Sequence, residues 1–322
     1  MKQELNIVFF GTPDFAVATL DALITAKYKI AAVVTAPDKP AGRGKKIIQP
    51  AVKTYALQKN IRVLQPVNLK SQAFLEELKV LKANLQVVVA FRMLPEVVWN
   101  MPQLGTFNLH ASLLPQYRGA APINHAIING EITTGVTTFF LQHQIDTGNV
   151  IFQESIDIGE DENVGQLHDR MMKLGANLVE KTVKAIENDN CPTTKQENLI
   201  HPAGTLHLAP KLTRDNCHIN WQQSTEKIHN FIRGLSPYPG AHCLLTNSEG
   251  TEYQVKIFRS EKLPSRYSNK IGTIETNNRD EFLVWVNDGQ ISIQEIQFPG
   301  KRRMSIKEVL NGMDFPGQWE MS

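Results

Sequence analysis

The first 190 residues alternate between two periods, and this constrains the fold more than any other feature. LNIVFF (Leu5 to Phe10) reads as a buried strand. Gly11 then turns, Thr12 is expected to cap a helix, Pro13 suits the first helical position and Asp14 the first turn. Ala16, Val17, Leu20, Leu23 and Ile24 fall on one face of that helix. KIAAVVT, LQVVVAF (Leu85 to Phe91) and LGTFNLH read as further strands. Apolar strands alternating with helices imply a mostly parallel sheet covered on both faces. GVTTFFLQ and NVIFQESI flank Asp146-Thr147-Gly148 as a hairpin, and Leu167, Met171, Leu174 and Leu178 mark a long amphipathic helix from Val164.

Near Asn188 the pattern changes. NDNCPTTKQENLIHPAGTLHLAP has no period and several turn formers, and reads as a linker. One helical stretch, STEKIHNFIRGL, follows. The short strand candidates HCLLT, YQVKIF, KIGTIET, EFLVWV and QISIQEIQ then suggest a small β-barrel. A length of 322 residues favours two domains over one. The expected division is 1–189 for an α/β catalytic domain, 190–207 for the linker and 208–322 for the barrel.

Within FNLHASLLPQYRGAAPIN, Asn108 and His110 are two residues apart in a strand and so project to one face. Pro115 and Gly119 then end regular structure, which puts the pair near the carboxyl end of the strand, where open α/β sheets bind ligands. Asp146 is the third polar candidate. A carboxamide, an imidazole and a carboxylate suit acyl or formyl transfer without a covalent intermediate: the amide donates to a developing oxyanion, the imidazole moves a proton, and the carboxylate stabilises imidazolium. Each residue also has a purely structural reading, a satisfied polar pair for Asn108 and His110 and an Asx-turn for Asp146.

Other chemistries lack their signatures. Gly11-Thr12-Pro13-Asp14-Phe15 is not G-x-G-x-x-G, which counts against a nicotinamide dehydrogenase, and there is neither a Walker motif nor H-E-x-x-H. Cys191, Cys217 and Cys243 support neither a disulfide framework nor a zinc site, so no metal is expected. A net charge of +2 confines any nucleic-acid contact to local patches. The apolar run near the start is too short for a signal peptide and nothing approaches a membrane span, so a soluble cytoplasmic protein without membrane contact is expected.

Asn-x-His, Ser-Leu-Leu-Pro, Arg-Gly-Ala-Ala-Pro and Asp-Thr-Gly together resemble the folate-dependent formyltransferases. GTPDF, PDKPAGRGKK, KLTRDNCHINW and NFIRGLSPYPGA extend the likeness over almost the whole chain, to those members that act on initiator tRNA. The resemblance implies a Rossmann-like domain followed by an OB-like barrel that helps hold tRNA. It implies formyl transfer from 10-formyltetrahydrofolate to the α-amino group of methionine on initiator methionyl-tRNA, by a monomer. Residue by residue, Asn108, His110 and Asp146 take the catalytic positions. Ser112, Leu113, Leu114 and Pro115 take the folate-binding segment, and Arg43, Lys45 and Lys46 the tRNA-contacting loop. Lys301, Arg302 and Arg303 form a second basic run. One departure is Arg92-Met93, where many relatives carry a small or uncharged pair beside the pterin pocket; Arg92 is expected to be solvated or paired. A sugar-nucleotide formyltransferase or a formyltetrahydrofolate hydrolase would share the catalytic set. The alternative from another class is an RNA-binding module on an inactive scaffold.

Overall fold

The computed structural model describes residues 3–41, 46–200, 205–265, 267 and 269–322. Its contacts divide the chain into two compact units: Met1–Gly119, Thr134–Ile156 and His168–Leu208 in one, and Ala120–Thr133, Asp157–Leu167 and Ala209–Ser322 in the other.

The first unit is built on a Rossmann-like sheet with strand order Val150–Asp157, Thr133–Phe140, Thr106–His110, Leu85–Val89, Asn6–Gly11, Lys29–Val34, Val63–Leu64. The last five are mutually parallel; Thr133–Phe140 runs antiparallel to Thr106–His110. Both faces are covered, as continuous apolar strands require. Val8, Phe10, Val34 and Val88 pack with Phe74, Leu78 and Val98 on one side. On the other, Gly175 of the helix Val164–Glu187 comes so close to Leu109 that an added Cβ would meet its Cδ2 at 2.8 Å. Leu109 therefore faces that helix, and Asn108 and His110, by alternation, face away from it.

The strand order reverses at Asn6–Gly11, which lies between Leu85–Val89 and Lys29–Val34. Gly11 closes this strand, and a Cβ there would sit 2.6 Å from Ala16 Cβ and 3.2 Å from Val89 O. The first helix is Asp14–Thr25. Its N-cap is Pro13 and not Thr12: Pro13 is extended, with ψ 179°, and its carbonyl already accepts from the Ala16 and Val17 amides.

The second unit carries an antiparallel sheet in the order Ile274–Thr276, Phe282–Val286, Gly289–Gln297, Glu252–Pro264, Ala241–Asn247, Trp319–Met321. Thr273 bridges Glu320, and Gly272 exchanges backbone bonds with Met321 and Trp285, so the last strand returns beside the first and nearly closes a barrel. Alternate residues such as Cys243, Leu245, Val255, Ile257, Val284, Ile291 and Ile293 fill it. The helix Thr225–Gly234 begins as a cap should, with the Ser224 hydroxyl accepting from the Lys227 amide, and adds Ile228 and Ile232 to the same core.

Candidate active site

His110 ends the strand Thr106–His110 and is buried. Its Nε2 lies 2.9 Å from the carbonyl oxygen of Tyr117. A carbonyl can only accept, so Nε2 carries a proton, and in the neutral ring Nδ1 holds the lone pair. Nδ1 lies 3.9 Å from Asp146 Oδ2, with the two side chains 7% and 15% exposed. That distance is long for a hydrogen bond but short for charges. An imidazolium and a carboxylate 4 Å apart attract by about 4 kcal/mol at an effective dielectric of 20, before their desolvation is counted. The structure thus brings His110 and Asp146 together across 35 intervening residues, which spacing alone could not establish.

The backbone around this pair is held in unusual conformations. Tyr117 has φ 59° and Asp146 φ 54°. Aspartate tolerates the left-handed region; for a bulky tyrosine it is an outlier of the kind that collects at functional sites. Gly119 N donates to Asp146 Oδ2 at 3.0 Å, fixing the carboxylate that faces His110. The turn closes so tightly at Gly148 that a Cβ would lie 1.6 Å from Phe140 O.

Asn108 is half-buried one pair inward, opposite Val88 and Phe139 in the neighbouring strands. Ser112, Leu114 and Pro115 are turned inward, and Leu113 is half-buried. The Ser112 hydroxyl donates to Gln116 O at 2.6 Å. The Thr137 hydroxyl donates to Ser112 O at 2.6 Å and accepts from the Leu114 amide at 3.1 Å and from Gln153 Nε2 at 3.0 Å. Gln153 Nε2 also donates to Leu114 O. The segment is a wall held from behind, and Thr137 and Gln153 are contributors that sequence reasoning missed. Their signal was faint: polar residues in the otherwise apolar strands of a hairpin.

Arg92 is paired, its Nη1 donating to Val67 O at 2.9 Å and its Nη2 to Pro66 O. It lines an open cleft of about 690 Å³ with Val67, Lys70, Met93 and Val97. Arg43 and Lys45 lie outside the described residues. Lys46 opens the strand Lys46–Ile48, which pairs antiparallel with Lys39–Ala41. Asp38, just before that hairpin, is tied to Gln65 at 2.7 Å and Lys53 at 2.6 Å, and these partners hold its carboxyl below the usual carboxylate range. In the second basic run, Arg302 pairs with Glu308, and Arg303 pairs with Glu295 beneath its stack on Phe258. Among the described residues no three His, Cys, Asp or Glu side chains converge as a metal site, and no helix is long and apolar enough to cross a membrane.

The family model described as formyl transferase matches residues 5–183, and that of the formyl transferase C-terminal domain matches residues 211–314. The methionyl-tRNA formyltransferase of Bacteroides thetaiotaomicron is 51% identical over 321 residues, covering 100% of this chain and 99% of the relative. That of Flavobacterium johnsoniae is 52% identical over 313 residues, covering 97% and 98%. Among solved structures, the sugar 3N-formyl transferase WlaRD, crystallised with dTDP and 5-N-formyl-THF, superposes with a TM-score of 0.63 at 21% identity, covering 93% of this chain and 100% of the other. HypX from Aquifex aeolicus in complex with tetrahydrofolic acid gives 0.62 at 17% identity, covering 96% and 47%. At those identities the structural likeness speaks for the fold alone.

Proposed function

The chain belongs to the formyl transferase family, and from that premise we propose that it transfers a formyl group from 10-formyltetrahydrofolate to the α-amino group of methionine on initiator tRNA. The observation that carries the reading is the His110–Asp146 pair at 3.9 Å, on the strand face that also bears Asn108. The named relatives at 51–52% identity direct it to methionyl-tRNA rather than to a sugar amine.

The residues present fit such a donor: a half-buried carboxamide and an imidazole share one face above the wall Ser112–Pro115. When bound, 10-formyltetrahydrofolate supplies the formyl carbon. Asn108 donates to the oxygen on which negative charge develops. His110 Nδ1 accepts the proton of the attacking amine, because Nε2 is committed to Tyr117 O. Asp146 stabilises the imidazolium that results, and His110 returns the proton to the departing nitrogen directly or through water. Leu113, half-buried, offers apolar contact, since the Ser112 hydroxyl is already engaged with Gln116.

In this reading Arg43, Lys45 and Lys46 contact the tRNA, residues 208–322 form a tRNA-holding barrel domain after a catalytic domain of 1–189 and a linker of 190–207, and the enzyme works as a cytoplasmic monomer. The deciding assay offers formyl donor with charged initiator tRNA, with a nucleotide-linked amino sugar, and with water alone. Formyl transfer to the tRNA and to neither alternative is expected; preferential formylation of the sugar amine would overturn the assignment.

A further inference from the structure

Gln196 lies in the aperiodic stretch that the sequence marks as a linker, yet it is 2% exposed. It begins the short 3-10 helix Gln196–Leu199, two residues after Thr194 bridges Val150. Its Nε2 donates to Asp146 O at 2.9 Å and to Gly148 O at 2.9 Å. Its Oε1 accepts from Arg118 Nε at 3.0 Å and Nη2 at 2.6 Å. Every hydrogen-bonding position of the carboxamide is filled.

These four bonds join the two loops that make the His110 environment. Arg118 follows Tyr117, whose carbonyl fixes the His110 tautomer, and precedes Gly119, whose amide holds the Asp146 carboxylate. Asp146 and Gly148 bracket the turn that supplies that carboxylate. One side chain therefore spans both partners of His110. Only a carboxamide serves here: a carboxylate would accept from Arg118 but could not donate to two carbonyls, and a lysine could donate but not accept. The left-handed backbone at Tyr117 needs such external restraint to persist.

We propose that Gln196 is a positioning residue for formyl transfer, setting the placement of Asp146 against His110. This rests on the reading of Asn108, His110 and Asp146 as the reacting set. It acts through Asp146 and touches neither substrate.

The test compares Gln196→Glu, Gln196→Met, Asp146→Asn and the double variants in the full-length enzyme, with steady-state kinetics, pH–rate profiles and thermal melts. Gln196→Glu can keep the pairing to Arg118, loses the two donors to the Asp146 turn and sets a carboxylate oxygen against the two carbonyls they met. It should lower kcat by about 10- to 100-fold, as loss of an orienting partner does elsewhere, with KM for both substrates within about twofold of the parent. The kcat pH profile of Gln196→Met, which brings in no charge, should be displaced in the same direction as that of Asp146→Asn, while Gln196→Glu is read by kcat and KM alone because it adds a carboxylate beside the pair. Added to Asp146→Asn, either Gln196 substitution should cost nothing further, because both act on one interaction. A lower melting temperature with unchanged kcat and pH profile would make Gln196 a fold residue and overturn the proposal. So would multiplicative losses in the double variants, or failure of both single variants to fold. If Asp146→Asn itself leaves turnover and profile unchanged, the fault lies in the reading of the reacting set, and the inference falls with it. If Asp146→Asn behaves as expected and the Gln196 variants do not, only the inference fails.

Discussion

Around His110 the polar groups are buried or half-buried and bound mostly to backbone, each holding the next: Gln196 to the Asp146 turn, Gly119 to the Asp146 carboxylate, Tyr117 O to His110. On the barrel surface many charged groups stand in separate pairs near solvent, such as Arg302 with Glu308 and Lys270 with Glu320, while Arg233 of the helix Thr225–Gly234 is buried and bonded to Asn230 and to the carbonyls of Gly159 and Glu162. Exposed pairs of that kind each contribute little to stability. Buried polar networks are coupled, so removing one member disturbs the rest. One chain thus uses hydrogen bonds for two purposes. At the sheet end they fix geometry; on the barrel they trim a fold whose stability comes from its apolar filling.

The largest effect that would sharpen this contrast is in turnover. Asn108→Ala should leave a folded protein and lower kcat by about 10²–10³, the usual cost of losing a donor to a developing oxyanion, and His110→Ala should do so by about 10²–10⁴, the usual contribution of a general base. Near-parental turnover in a variant whose melting curve is unchanged would remove that residue from the reaction. Asp146→Asn preserves shape and removes charge; unaltered kinetics would leave Asp146 as a turn residue only.

A smaller effect is expected at Arg43, Lys45 and Lys46. An arginine can clamp a phosphate with two parallel bonds, and one charge-assisted bond contributes about 1.5–3 kcal/mol. Arg43→Ala should therefore lower kcat/KM for tRNA by about 10- to 100-fold while folate affinity stays unchanged. Arg43→Lys should recover part of the loss. Lys45→Ala and Lys46→Ala should chiefly weaken binding and flatten its salt dependence. Parental formylation by Arg43→Ala at subsaturating tRNA would remove Arg43 from the tRNA contact.

The same contrast explains what the sequence discloses. Asn108 and His110 are legible because strand geometry converts a spacing of two into a shared face, and the barrel strands because alternation survives in HCLLT and QISIQEIQ. Arg118 and Gln196 are not, because their bond spans 78 residues and nothing local marks a glutamine in a turn-rich stretch as buried. Tyr117 acts through its carbonyl, which has no side-chain signature at all. The shift of the first helix from a Thr12 cap to Pro13 is a one-residue error of a different kind: both are plausible from residue type, and the backbone angle decides.

The smallest effect lies on the barrel side, at the helix Ile306–Leu310. Ser305 and Glu308 form a capping box, the Ser305 hydroxyl accepting from the Glu308 amide while the Glu308 carboxylate accepts from the Ser305 amide. Arg302 beside it, with the Ser305 backbone and hydroxyl, pushes the Glu308 carboxyl down to about 2. The unfolded value is about 4.3. A depressed carboxylate contributes stability that is complete above the unfolded value and is lost as pH falls through the folded one. Ser305→Ala should cost about 1 kcal/mol in denaturant unfolding at neutral pH and leave kcat unchanged, since the cap is made between Ser305 and Glu308 of one short helix. The stability deficit of Glu308→Gln should be constant from about pH 8 to pH 5 and shrink from about pH 4 down to about pH 2, as the carboxylate protonates first in the unfolded chain and then in the folded one. A Ser305→Ala protein that unfolds with the parent would show that the box is ornamental. One that also lost turnover would show that the barrel's surface bonds are coupled to the reaction, and would break the contrast between the two regions.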